Sequence, residues 1–143
     1  MKTLLLLTLL AFPLIAQDRQ LSPRRNLPRA PQLMANEDGY ASGVAQSPYG
    51  YPVIIQGGDA IPSTSTVSLY GYSLRRNGVN EVLIIANRKE YSVPATVYND
   101  LFPKLEKVAF RLPVDVTGEV WVSAIGLWHS NWVRFNVEES WMK

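Results

Sequence analysis

The sequence predicts an all-β chain folded as an antiparallel β-sandwich of about seven strands. Three observations carry this. From Tyr51 onward, short apolar runs alternate with turn residues at regular spacing. Helical periodicity is weak throughout. The last two runs, "EVWVSAI" and "NWVRFNV", alternate apolar and other residues strictly, as strands with one buried face do.

The elements follow in order. Met1 to Ala16, "MKTLLLLTLLAFPLIA", has one positive charge, an apolar run and a small residue at its end. That is the pattern of a secretory signal peptide, cleaved after Ala16. A bridging membrane helix needs roughly 20 apolar residues, and this run is shorter. Residues 17–50 mix Pro, Gly, Ser, Asn and Arg without an apolar period. Such a composition buries too little surface to offset the entropy of ordering, so a disordered linker or tail is expected. Its tyrosines Tyr40 and Tyr49, with Tyr51, are placed to lie against the domain.

The domain is expected over 51–138, with a tail at 139–143. "PVIIQ" is a first strand, ended by Gly57-Gly58-Asp59. "STVSLYGYSL" follows, with Val67 and Leu69 on one face. Asn77-Gly78 marks a turn. "EVLIIA" is continuously apolar, as expected of a strand covered on both faces. "RKEYSV" returns and Pro94 ends it. "YNDLFPKLE" is the best candidate for a short helical turn. "LEKVAFRL" points Val108, Phe110 and Leu112 inward. In the closing hairpin the expected pairs are Val120 with Val137, Val122 with Phe135, and Ala124 with Val133.

Composition narrows the chemistry. There is no cysteine and one histidine, His129. Disulfides, thiol nucleophiles and a cysteine-rich zinc site are excluded. Without Lys2 the chain has 13 basic and 12 acidic residues, so no basic face points to nucleic acid. His129 and Ser130 are neighbours on an extended chain and point apart, which suits a hairpin turn better than a base and its nucleophile. Ser130 and Asn131 are expected to satisfy backbone groups within that turn. Asp115, Glu119 and Asn99-Asp100 lack the dense spacing of a calcium loop, and Glu138-Glu139 reads as a polar strand end. No catalytic residue, cofactor or metal is expected.

These residues resemble the IPT/TIG type of immunoglobulin-like domain. The resemblance rests on "PVIIQGGDA", on the apolar–Gly ending Leu69-Tyr70-Gly71-Tyr72-Ser73-Leu74, and on "FRLP…TGEVWVSAIGLWHSNWVRFNV". It covers 51–138 and is similar to modules at the ends of secreted bacterial surface proteins. The chain has Ser63-Thr64-Ser65-Thr66 where the family carries Gly-Gly-Thr. The resemblance implies an immunoglobulin-like sandwich used as a structural or recognition module, without catalytic residues.

The alternation turns Trp121, Ser123, Ile125, Trp132 and Arg134 outward, with Trp121 and Arg134 as diagonal neighbours able to stack. Trp128 and His129 adjoin them at the tip. Trp121, Ile125, Trp128, His129, Trp132 and Arg134 are therefore the candidate contact patch. Three accounts of it stand open: cover by residues 40–51, a protein partner, or a surface polysaccharide. The expected function is an exported, non-enzymatic protein-recognition or structural module, secreted, periplasmic or attached at the cell surface. A carbohydrate-binding module is the alternative, and an accessory hydrolase a third.

Overall fold

The computed structural model describes residues 29–99 and 104–139. The expected signal peptide, residues 17–28 of the expected linker, residues 100–103 of the helix candidate and residues 140–143 lie outside the described residues.

Ten strands account for the fold, and the described residues contain no helix. They are β1 (Gln32–Leu33), β2 (Gly43–Gln46), β3 (Pro52–Ile55), β4 (Ala60–Pro62), β5 (Thr66–Tyr72), β6 (Glu81–Ala86), β7 (Lys89–Asn99), β8 (Glu106–Arg111), β9 (Gly118–Ile125) and β10 (Val133–Glu138). They run side by side in the order β3-β2-β5-β8-β7-β6-β9-β10-β4, with β1 added on β5. Strands β3 and β4 end this path, yet only Gln56 to Asp59 separate them in the chain. The result is a nearly closed, barrel-like sheet. It is mixed, because β4 runs parallel to β10 while the other pairs are antiparallel.

Strands β5, β8, β9 and β10 follow the alternation read from the sequence, and β6 buries alternate residues as well. Val67 and Leu69 of β5, Val82 and Ile84 of β6, Val108 and Phe110 of β8, and Val120 and Val122 of β9 are all buried. Their side chains fill the interior with Val133 and Phe135 of β10, as in other small closed sheets. Fully burying side chains of this kind is worth about 1.5–3 kcal/mol each.

The sheet has ten strands rather than the expected seven or so, and it is mixed rather than antiparallel; four further expectations need correction. Strand β6 is not covered on both faces: Leu83 is half-buried and Ile85 exposed. Pro94 does not end β7. Lys89 to Pro94 pair with β6, and Ala95 to Asn99 pair with β8. Proline lacks the N–H a ladder needs, so it sits where the strand changes partner; the next N–H, of Ala95, bonds the Asn80 carbonyl at 3.0 Å.

The closing hairpin is shifted by two residues. Val133 lies opposite Val122 and Phe135 opposite Val120. A two-residue shift keeps every side chain on its face, so the alternation alone could not exclude it. Between the Val122–Val133 pair and the Ile125–His129 bridge, three residues advance on one strand and four on the other. That extra residue is a bulge. It makes the connection asymmetric, whereas the expected pairing was centred on it.

The fourth correction is the largest. The described part of the expected linker is folded. Residues 32–46 form a strap that doubles back at Asn36 to Tyr40, with Ala35 bridging Ala41. Strand β2 inserts between β3 and β5, pairing Val44 with both Ile54 and Ser68. Leu33, Ala41 and Ala45 are buried. Gly71 admits the strap: a Cβ there would stand 2.5 Å from the Gln32 carbonyl oxygen. The strands of the strap are two and four residues long, too short to show a period.

Candidate functional site

The features that stand out lie where the strap meets β9, β10 and their connection. Arg134 is the first. It lies directly opposite Trp121, not diagonal to it, because the register is shifted. Its guanidinium Nε and Nη2 donate to the Asp38 carbonyl at 3.1 and 2.9 Å, and Nη1 meets Glu119 Oε2 at 2.8 Å. It is 4.2 Å from the centre of the Tyr40 ring and 5.5 Å from that of Trp121. The backbone joins in. Arg134 N–H donates to the Gly39 carbonyl, and Ala41 N–H donates to the Arg134 carbonyl. The free edge of β10 is thus covered by the strap at Arg134 and by β4 beyond it.

Arg134 therefore clamps the strap rather than presenting a free guanidinium. Replacement by alanine is expected to cost about 2 kcal/mol, less than the sum of its charged hydrogen bonds, because the Glu119 pair is partly exposed. Lysine would recover less than half, since it has neither the flat fork nor the stacking face. Urea unfolding of both variants measures this.

Asn131 is the second anchor. Its Oδ1 accepts from Leu33 N–H at 2.8 Å and its Nδ2 donates to the Leu33 carbonyl at 3.0 Å. The amide thereby acts as a strand neighbour for β1, far along the chain, instead of serving its own turn. Ser130 does serve the turn. Its hydroxyl accepts from Ala124 N–H and donates to the Asn131 carbonyl, each at 2.8 Å. Ser123 is buried rather than outward, and its hydroxyl donates to the Ser130 carbonyl. With these bonds Ser130 is an element of the bulge.

Two surfaces result. The first is an open groove of about 510 Å³ floored by Gln32 to Glu37. Tyr72 and Trp132 line it from opposite sides of β1, and both are exposed, at 42% and 39%. Its floor is held by Asn36, whose Oδ1 accepts from Asp38 N–H and Tyr40 N–H at 2.9 and 3.0 Å. Glu37 brings a carboxylate, and no cationic side chain lines it.

The second surface is the tip. Leu127, Trp128 and His129 are exposed. The connection leans on the loop after β5: Leu127 N–H donates to the Asn77 carbonyl at 2.8 Å. Gly126 makes that contact possible, since a Cβ there would stand 2.3 Å from the same oxygen. Asn77 is itself buried, and its Nδ2 donates to the carbonyls of Arg29 and Ser73.

The six residues expected as one patch are thus divided. Trp121 and Arg134 meet beneath Tyr40; Trp132 lines the groove; Trp128 and His129 stand on the tip; Ile125 lines the cleft beside Arg75 and Arg76. No sequence pattern marks Tyr72 or Asn77 as site residues. Tyr40 belongs to a tyrosine-rich stretch, but its partner is set by the path of the strap. Tyr49 and Tyr51 remain exposed. No family model, no curated protein and no solved structure matches this chain.

Proposed function

We propose that this chain is an exported, non-enzymatic recognition module of immunoglobulin-like architecture, working outside the cell or at its surface, with the Trp132–Tyr72 groove as its contact site. The observation that carries the reading is the groove itself. Two exposed aromatic rings stand over a floor fixed by hydrogen bonds, and exposed aromatics on a rigid support are the usual anchors of binding surfaces. Strand order supports the immunoglobulin-like part: β5, β8 and the end of β7 follow one another as strands B, E and D do in such a sandwich, and β6, β9 and β10 as C, F and G do. The apolar first segment supports export.

A polysaccharide is the second reading, favoured by the two rings and the amide and carboxylate groups beside them. Replacing Trp132 and Tyr72 together by alanine separates the cases. Both side chains reach the surface and neither belongs to the buried core, so the double variant is expected to stay folded, with a cooperative urea transition as the check. Sugar binding predicts that polysaccharide changes the tryptophan fluorescence of the parent and not of the double variant. A protein partner predicts a silent titration and loss of cross-linking to that partner in the variant. If both readouts were unchanged by the substitutions, the groove would not be the contact site.

A further inference from the structure

We propose that the connection between β9 and β10 docks this protein on an anionic lipid surface. Leu127 and Trp128 are consecutive and stand 71% and 55% exposed. Their exposure is not that of a loose loop. Gly126 N–H donates to the Trp128 carbonyl at 3.2 Å, and Leu127 N–H is held by the Asn77 carbonyl. A large aliphatic and a large aromatic side chain are therefore fixed in water at one end of the molecule. In a membrane interface both gain: leucine enters the acyl boundary, and the indole sits at headgroup depth.

The charge beside the tip is complementary to anionic headgroups. Arg75 and Arg76 line the same cleft as Leu127, about 570 Å³ in volume. Arg29, whose carbonyl is bonded by Asn77, enters the described fold at this end. Two carboxylates face the same loop. Glu81 accepts from the Ser92 hydroxyl, and Glu106 accepts from the backbone N–H groups of Leu74 and Arg75. Arginine side chains can reach lipid phosphates with paired hydrogen bonds while the neighbouring apolar pair inserts. The tip and the Trp132–Tyr72 groove are lined by different residues, so binding at one can fail while binding at the other holds.

The test uses the chain from Gln17 onward, which keeps every described residue, with vesicles of phosphatidylcholine alone or with about 30% phosphatidylglycerol. Flotation with the anionic vesicles is expected at low salt. L127S/W128S should weaken it by about tenfold or more, and R75Q/R76Q should erase the preference for anionic over neutral vesicles. Brominated lipid should quench the parent's tryptophan fluorescence more strongly than that of Trp128→Phe. Substituting Trp132 and Tyr72 should change none of this binding. The proposal is overturned if anionic vesicles do not bind, if L127S/W128S floats like the parent, or if Trp128→Phe is quenched to the same fraction as the parent. Loss of binding only in the Trp132 and Tyr72 variant would also overturn it.

Discussion

A chain that begins at Tyr51 is expected not to fold. The domain boundary suggested by composition falls there, yet such a chain lacks β1 and β2. Strand β2 is the neighbour that joins β3 to β5, so its loss strands β3 and bares one edge of β5. Leu33, Ala41 and Ala45 leave the core, and Leu69, Leu74 and Ile55 lose cover. Arg134 and Asn131 lose their partners in the strap. Small domains hold only about 5–15 kcal/mol in total. A missing strand, three missing core side chains and a set of orphaned polar groups consume most of that range. Differential scanning calorimetry should show a cooperative transition for the chain from Gln17 and none for the chain from Tyr51. A shortened chain that melts at the parent's midpoint would return the strap to the status of a linker.

The second large effect is expected from Asn77→Asp. The two side chains have nearly the same shape, so packing changes little. Their hydrogen bonding differs. Asn77 is buried, and its Nδ2 gives hydrogens to two carbonyls, those of Arg29 and Ser73. A carboxylate there faces both carbonyl oxygens with no hydrogen to offer. Leaving a charge buried and unpaired costs about 3–5 kcal/mol. The loss has a pH signature. Burial and the facing oxygens raise the folded-state pKa of the introduced acid above its unfolded value of about 3.9. The folded variant then binds more protons than the unfolded chain above that pH, so its stability falls as pH rises. Below about pH 4 the acid is neutral in both states and can still donate one bond, and the deficit relative to the parent narrows. Urea unfolding of both proteins at several pH values reads the difference directly. An unchanged midpoint at neutral pH would mean that Asn77 does not bridge the three segments as described.

What was legible in the sequence follows strand length. Strands β5, β8, β9 and β10 are six to eight residues long, enough to show which side chains turn inward; β6 is as long, but its unbroken apolar run hides its outer face. Strand β4 is three residues long and ends in proline; it gives no period, and its pairing with β10 depends on contacts distant in sequence. The same holds for the strap. The candidate site shows the same division. Trp132, Trp128 and Arg134 could be picked out as large side chains on or beside an outward strand face. Tyr72 became a groove wall only because β1 lies between it and Trp132. Arg134 became a clamp only because the strap passes over it.

By itself the sequence determined that this chain is all-β, which strands carry the core, and which side chains of the last hairpin turn inward. Those properties are local: they depend on a period of two that a short window contains. The tertiary structure alone decided the register of β9 on β10, the passage of β7 between neighbours at Pro94, and the folding of residues 32–46 into the sheet. A shift of two residues leaves every face unchanged, and a strand of two residues has no pattern of its own. The strap is settled by partners far along the chain, Asn131 holding Leu33 and Arg134 holding Asp38; the hairpin register is settled by the bulge that Ser130 holds beside Ala124.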